Sequence, residues 1–127
     1  MPFARLSYHP PHPDRERDLA CALTDLIAND LAKRHDLTSV QIEAAPAQTW
    51  TIGGERQQTT AHLEVFVTAG TNTVEQKRRF QENAMALLRA EWPELHPATY
   101  VVVHELPATD WGYGGMSQAD RAAARSA

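Results

Sequence analysis

The sequence holds a single cysteine, Cys21, which excludes an intrachain disulfide and any zinc site built from several thiolates. So little cysteine fits a reducing compartment, and a cytoplasmic location is the expectation. Basic residues are in the minority: 12 Lys and Arg stand against 16 Asp and Glu, a net charge of -4. A nucleic-acid binder wants a basic face that displaces counterions, so no nucleic-acid partner is expected. Long apolar runs are missing too. The densest, Tyr100 to Val103, is strand-sized, far short of the ~20 residues of a membrane span. The proline-rich N-terminus has no apolar core of a signal peptide. Gly112-x-Gly114-Gly115 follows no strand-to-helix phosphate loop, so it is not read as a dinucleotide site. No cofactor is expected. The 127 residues, 43% hydrophobic and 22% charged, have the length and composition of one globular domain.

Within that domain the chain repeats itself. Pro46-Ala47-Gln48-Thr49-Trp50-Thr51-Ile52-Gly53-Gly54 returns as Pro107-Ala108-Thr109-Asp110-Trp111-Gly112-Tyr113-Gly114-Gly115. Proline, alanine, tryptophan and both glycines match without a gap. The pattern implies two copies of one unit, residues 1–58 and 59–116, with a tail at 117–127. The tail is Ala-rich with little to bury and is expected to fray.

Each copy carries strand, helix and strand signals in order. Ala4, Leu6 and Tyr8 alternate with Arg5 and Ser7, predicting a strand from Pro2 to Tyr8. Pro10, Pro11 and Pro13 break it. Asp14 is the expected N-cap of a helix over Arg15 to His35, with Leu19, Leu23, Leu26, Ile27 and Leu31 on one face. Cys21 is read as a small core or boundary residue beside that face. Val40 to Ala44 alternates as a short strand. In the second copy Ala61, Leu63, Val65 and Val67 form the alternating strand. Thr73 and Gln76 offer a capping box. Phe80, Ala84, Leu87 and Leu88 mark a helix face that Pro93 ends. Thr99 to Glu105 is β-branched and apolar, a buried strand pattern and the fourth strand.

The expected fold class is α+β: two tandem β-α-β units forming a four-stranded mixed sheet, with both helices on one face. The other face carries Phe66 and part of the valine-rich strand, so the chain is expected to associate through sheet faces into a closed homo-oligomer.

These features resemble the tautomerase superfamily, and most of all two fused copies of 4-oxalocrotonate tautomerase. The resemblance rests on Pro2 directly after the initiator methionine and on Leu37-Thr38-Ser39-Val40. It rests also on Ile52-Gly53-Gly54-Glu55, Glu75-Gln76-Lys77, and a gapless match from Glu105 to Gly115. It covers almost all of the chain up to Met116. The fused layout is also similar to cis-3-chloroacrylic acid dehalogenase, malonate semialdehyde decarboxylase and macrophage migration inhibitory factor. The resemblance implies a homotrimer, a small-molecule substrate, and Pro2 as the catalytic base of a tautomerase or isomerase acting on a small enol or 2-oxo acid. Two alternatives stand beside it: a catalytically decayed binding protein of the same fold, and a superfamily hydratase or decarboxylase.

The chemistry requires a free proline nitrogen. Ordinary α-amino groups titrate near 7.7–8.0, and an apolar pocket or nearby cations lower that value toward the working range of a general base. With Met1 attached, the Pro2 nitrogen is an amide without base strength. The small second residue favours removal of Met1.

The family's substrate-binding arginines are not kept. One position holds His12 in the first copy and Thr71 in the second; the other aligns with Gln41 and Tyr100. The family's active-site phenylalanine matches Trp50 and Trp111. Ala61 stands where the second copy would need its proline, so one proline site per chain is expected. Loss of arginine argues against the dehalogenases and against a doubly charged substrate. His9 and His12, spaced i, i+3, are candidate pH-dependent anchors, or else exposed loop residues. Arg5 and Arg56 are possible substitute cations. Trp50 and Trp111 are read as pocket walls, oligomer contacts or core. His62 and His104 lie on strands. His9-Pro10-Pro11-His12 has no third ligand at metal spacing, so no metal is expected.

Overall fold

Alternation along the first segment becomes a strand, β1 (Phe3–His9), in the computed structural model, which describes residues 2–46 and 49–126. There follow α1 (Pro13–Asp30), a 3-10 turn at His35–Leu37 and β2 (Ser39–Ala44). A small hairpin, β3 (Thr51–Ile52) and β4 (Glu55–Arg56), ends the first copy. The second copy runs β5 (Thr60–Thr68), α2 (Val74–Glu91), β6 (Val101–Leu106) and the hairpin β7 (Gly112–Tyr113) and β8 (Met116–Ser117). The chain closes with α3 (Gln118–Ser126).

The four long strands form one mixed sheet in the order β2-β1-β5-β6. β1 pairs parallel with β2, antiparallel with β5, and β5 pairs parallel with β6. This is the expected sheet. Ala4, Leu6 and Tyr8 on β1 and Leu63, Val65 and Val67 on β5 are all fully buried. They pack with Leu19, Leu23 and Ile27 of α1 and Phe80, Ala84 and Leu88 of α2 in one core. Both helices therefore cover the same face.

Local chemistry fixes the helix ends. Pro13 opens α1, where its fixed φ suits the first turn and its missing N–H is not needed. The N-cap is His12, whose side chain makes no cap bond, and Asp14 lies inside the first turn instead of capping it. Ala32 takes φ 53°, and α1 stops at Asp30 rather than reaching His35. α2 has the capping box the sequence offers: Thr73 Oγ1 accepts the Gln76 N–H at 3.0 Å and Gln76 Oε1 accepts the Thr73 N–H at 2.9 Å. Thr73→Ala is expected to cost about 1 kcal/mol, read as a lower urea midpoint at unchanged slope.

Three more sequence expectations change. Cys21 is exposed, not a core or boundary residue. Thr99 and Tyr100 precede β6 rather than lying in it. Residues 118–126 fold as α3 rather than fraying: Ser117 Oγ accepts the Asp120 N–H at 3.0 Å, and the Ala119 N–H reaches the Ala108 carbonyl at 2.9 Å. The ladder also fixes how the two copies correspond. The hairpins match residue for residue, and carried back along β2 and β6 that match sets Val40 on Val101. Their ladder partners are Ala4 and Leu63. Pro2 then falls on Ala61, as expected. Tyr100, however, corresponds to Ser39, and Gln41 to Val102.

Among the described residues the second sheet face carries no helix of its own. Phe3 packs on Phe66 with ring centres 5.9 Å apart, and Phe66 stacks on His104 at 4.5 Å. These side chains are half-buried. The described residues include no helix long and apolar enough to cross a membrane.

Candidate functional site at the two ends of the central strands

β1 and β5 are antiparallel neighbours, so each end of the sheet carries the head of one and the tail of the other. Pro2 heads β1. It is fully buried, and its carbonyl accepts the Ser39 N–H at 3.2 Å. Phe66 faces Phe3 across the ladder, which puts Val67 and Thr68 at the same end. Trp111 joins them there, because its indole N–H donates to Thr68 Oγ1 at 3.1 Å.

The opposite end is headed by Ala61. Here Trp50, Tyr100 and His62 line a cavity of about 240 Å3, together with Ile52, Thr60 and Ala61. His9 belongs to this end, paired with Thr60. Its Nδ1 is buried without a hydrogen-bond partner among the described residues. Along β1, His9 stands about 23 Å from Pro2 at ~3.3 Å per residue. His12 is exposed, and its backbone N–H donates to Tyr8 Oη at 2.9 Å. Within one chain, then, the candidates divide. Trp111 is with Pro2, while His9, Trp50 and Tyr100 are at the other end. His12 follows β1 beyond that end. Gln41 lies on the edge strand beside Arg5, on the face without helices.

Cations near the Pro2 end escaped the sequence reading, Lys33 and Arg121 among them. Lys33 follows α1, and its Nζ donates to Thr71 Oγ1 at 2.7 Å. Burial pulls its pKa down, against the pull of Glu105. Arg121 is carried by α3. Its guanidinium lies 3.7 Å from the centre of the Tyr113 ring, and Nη2 donates to the Tyr113 carbonyl at 2.7 Å. The signal for α3 was present: Ser117 three residues before Asp120, ahead of a run of good helix formers.

His62 and His104 meet on the face without helices. Glu64 Oε1 lies 2.6 Å from His104 Nε2, and Oε2 lies 3.6 Å from His62 Nε2. The His104 hydrogen bond holds the Glu64 carboxyl below the ordinary carboxylate range; partial burial opposes this, and His62 and Arg5 add to it. A lowered carboxyl pKa favours the folded chain above the unfolded value, about 4.3, and that advantage is lost as pH falls through the lowered value. Glu64→Gln is expected to flatten the loss of stability on going from pH 4.5 to 3. Urea midpoints across that range that fall as steeply in the variant as in the natural chain would contradict this. Among the described residues no three His, Cys, Asp or Glu side chains gather as metal ligands.

The architecture has clear counterparts among solved structures. Pt0534 inactivated by 2-oxo-3-pentynoate superposes with a TM-score of 0.84 at 14% identity, over 94% of this chain and 98% of its own. The native fused 4-OT gives 0.78 at 22% identity, over 93% and 97%. The fold is that of the fused tautomerases. A macrophage migration inhibitory factor-like protein from Entamoeba histolytica shares it, with a TM-score of 0.77 at 14% identity over 91% of this chain and 97% of its own. No family model and no curated protein matches the chain. In this fold Pro2 sits at one end of the sheet, and Ala61 holds the corresponding position at the other.

Proposed function

We propose that this chain is a Pro2-dependent tautomerase that acts on a small enol or 2-oxo acid and assembles as a homotrimer. The observation that carries the reading is the burial of Pro2 at the head of β1, with Trp111 anchored at the same end. Pt0534, with the same fold, is inactivated by 2-oxo-3-pentynoate, itself a 2-oxo acid. A fused 4-OT with that fold, at a TM-score of 0.83, is an asymmetric trimer. The half-buried Phe3, Phe66 and His104 stack supplies the apolar surface such an assembly would bury.

The mechanism follows from the amine. Once Met1 is removed, Pro2 carries a basic secondary nitrogen. That nitrogen takes the hydroxyl proton of the enol and the resulting ammonium returns a proton to the adjacent carbon, so the ketone forms with no net proton gained or lost. Trp111 keeps water from the amine, which holds down the cost of the neutral form. Positioned acid–base transfer of this kind is worth about 10²–10⁴-fold.

The test compares two mass-verified preparations, one lacking Met1 and one retaining it, in the ketonisation of phenylenolpyruvate followed by ultraviolet absorbance. Catalysis confined to the Met1-free chain supports the reading. A rate equal to buffer in both would favour the decayed binding protein, whose best support is the absence of arginine at positions 12, 41, 71 and 100.

A further inference from the structure

We infer that Arg121 holds the carboxylate of the substrate at the Pro2 end, and that the substrate there is a monocarboxylate. The inference rests on the proposed role of Pro2 and deepens it.

The two copies stop matching just after their hairpins. Through the hairpins they agree bond for bond: the Gln57 N–H donates to the Trp50 carbonyl and the Gln118 N–H to the Trp111 carbonyl, both at 2.9 Å. Beyond that point the first copy runs directly into β5, and Thr60, just ahead of Ala61, lines the first cavity. Among the described residues the second copy is followed by a helix and not by a strand, and the strand that matches β5 is β1, headed by Pro2. α3 takes the place of that connection. In sequence register Arg121 is the counterpart of Thr60. The symmetry-breaking proline and the symmetry-breaking arginine therefore belong to the same end of the molecule.

The surroundings of Arg121 suit an anion. Its ring partner, Tyr113, is the counterpart of Ile52, which lines the first cavity. The stacked ring and the Tyr113 carbonyl fix the plane of the guanidinium. Nε is buried with no partner, and among the described residues no carboxylate lies within ion-pair distance of Arg121. Arg15, Arg34 and Arg78 differ in this respect, each being paired with an acid. Of the other cations near this end, Lys33 is engaged by Thr71 and lies within the field of Glu105, and Lys77 is paired with Glu105 at 2.7 Å. A half-desolvated guanidinium without a counter-ion is costly unless an anion arrives to pair with it. A planar fork held on an aromatic ring presents itself to one carboxylate in a fixed orientation. One such cation matches one carboxylate, which fits the loss of the arginine clamp from the positions where the family carries it.

The test uses Met1-free protein and two enols, phenylenolpyruvate and its methyl ester. The expected result for R121Q is a rise in KM for the acid of about ten- to a hundredfold, with kcat little changed and the ester unaffected. R121K should recover part of the acid preference, since it keeps the charge and loses the fork. Both replacements are good helix formers, and far-ultraviolet circular dichroism checks that α3 persists. An acid-to-ester preference in R121Q equal to that of the natural chain overturns the inference. Failure of Pro2 as the base is read separately. If the natural chain turns over neither enol, binding of phenylpyruvate and its methyl ester is measured by tryptophan fluorescence. A preference for the acid that R121Q abolishes supports Arg121 as an anchor of a binding site, and equal binding of acid and ester rejects it.

Discussion

Pro2→Ala in the Met1-free chain is expected to lower kcat/KM for an enol acid by at least about a hundredfold, toward the upper part of the 10²–10⁴ range for acid–base catalysis. Alanine still ends in an amine, so the loss measures the secondary nitrogen and the ring that aims it, beyond mere basicity. The fold is expected to survive, because the other copy shows what alanine does in this position. Ala61 heads β5, is 5% exposed, and sits in the core without disturbing the ladder. Steady-state kinetics beside a thermal melt checks both halves of the prediction. An unchanged melt with a collapsed rate is the predicted outcome. A rate within about threefold of the natural chain would remove Pro2 from the chemistry.

The second large effect lies in the core. Phe80 is fully buried, on the α2 face that packs against β5 and α1. Phe80→Ala is expected to cost about 3–5 kcal/mol, the sum of lost transfer energy and a cavity the neighbours cannot refill. A domain of this size has roughly 5–15 kcal/mol in total. The contrast is Phe66→Ala on the face without helices. Phe66 is half-buried and touches Phe3 and His104. Its loss should leave the dilute chain much less affected and should weaken association between copies. Urea unfolding at low and high protein concentration separates the two. Equal midpoint shifts for both variants at low concentration would mean that the sheet face is already part of a single chain's core.

Much of this architecture is readable from residue periodicity. Ala4, Leu6 and Tyr8 had to share a face because side chains on a strand alternate, and Leu19, Leu23 and Ile27 because a helix returns every 3.6 residues. The Thr73 capping box was visible for the same local reason. What periodicity could not show was non-local geometry. Gln41 and Tyr100 were each aligned with the family's second arginine, whereas the ladder register makes Ser39 the counterpart of Tyr100 and Val102 that of Gln41. The two-residue difference keeps every side chain on its face, so no hydrophobic pattern could reveal it. The spacing of His9 and His12 does not show that, within one chain, the end of β1 lies a full strand length from its beginning; which Pro2 they would face in a trimer is set by the assembly. Asp14 looked like a cap, but Pro13 can serve as the first helical residue and His12 takes the cap position. The tail was misjudged because its alanines bury little. They are also strong helix formers, and Ser117 provides the cap that starts them.

The catalytic claim comes down to one nitrogen atom. The most direct measurement is an NMR titration of chains carrying 15N-labelled proline, with mass-verified absence of Met1, read beside the pH dependence of kcat/KM for phenylenolpyruvate. The account predicts a single Pro2 amine that titrates below the ordinary α-amino range, with the rate rising through that same pH as the amine loses its proton. A proline nitrogen that titrates above about 9, or a rate indifferent to its titration, would contradict the assignment of Pro2 as the working base.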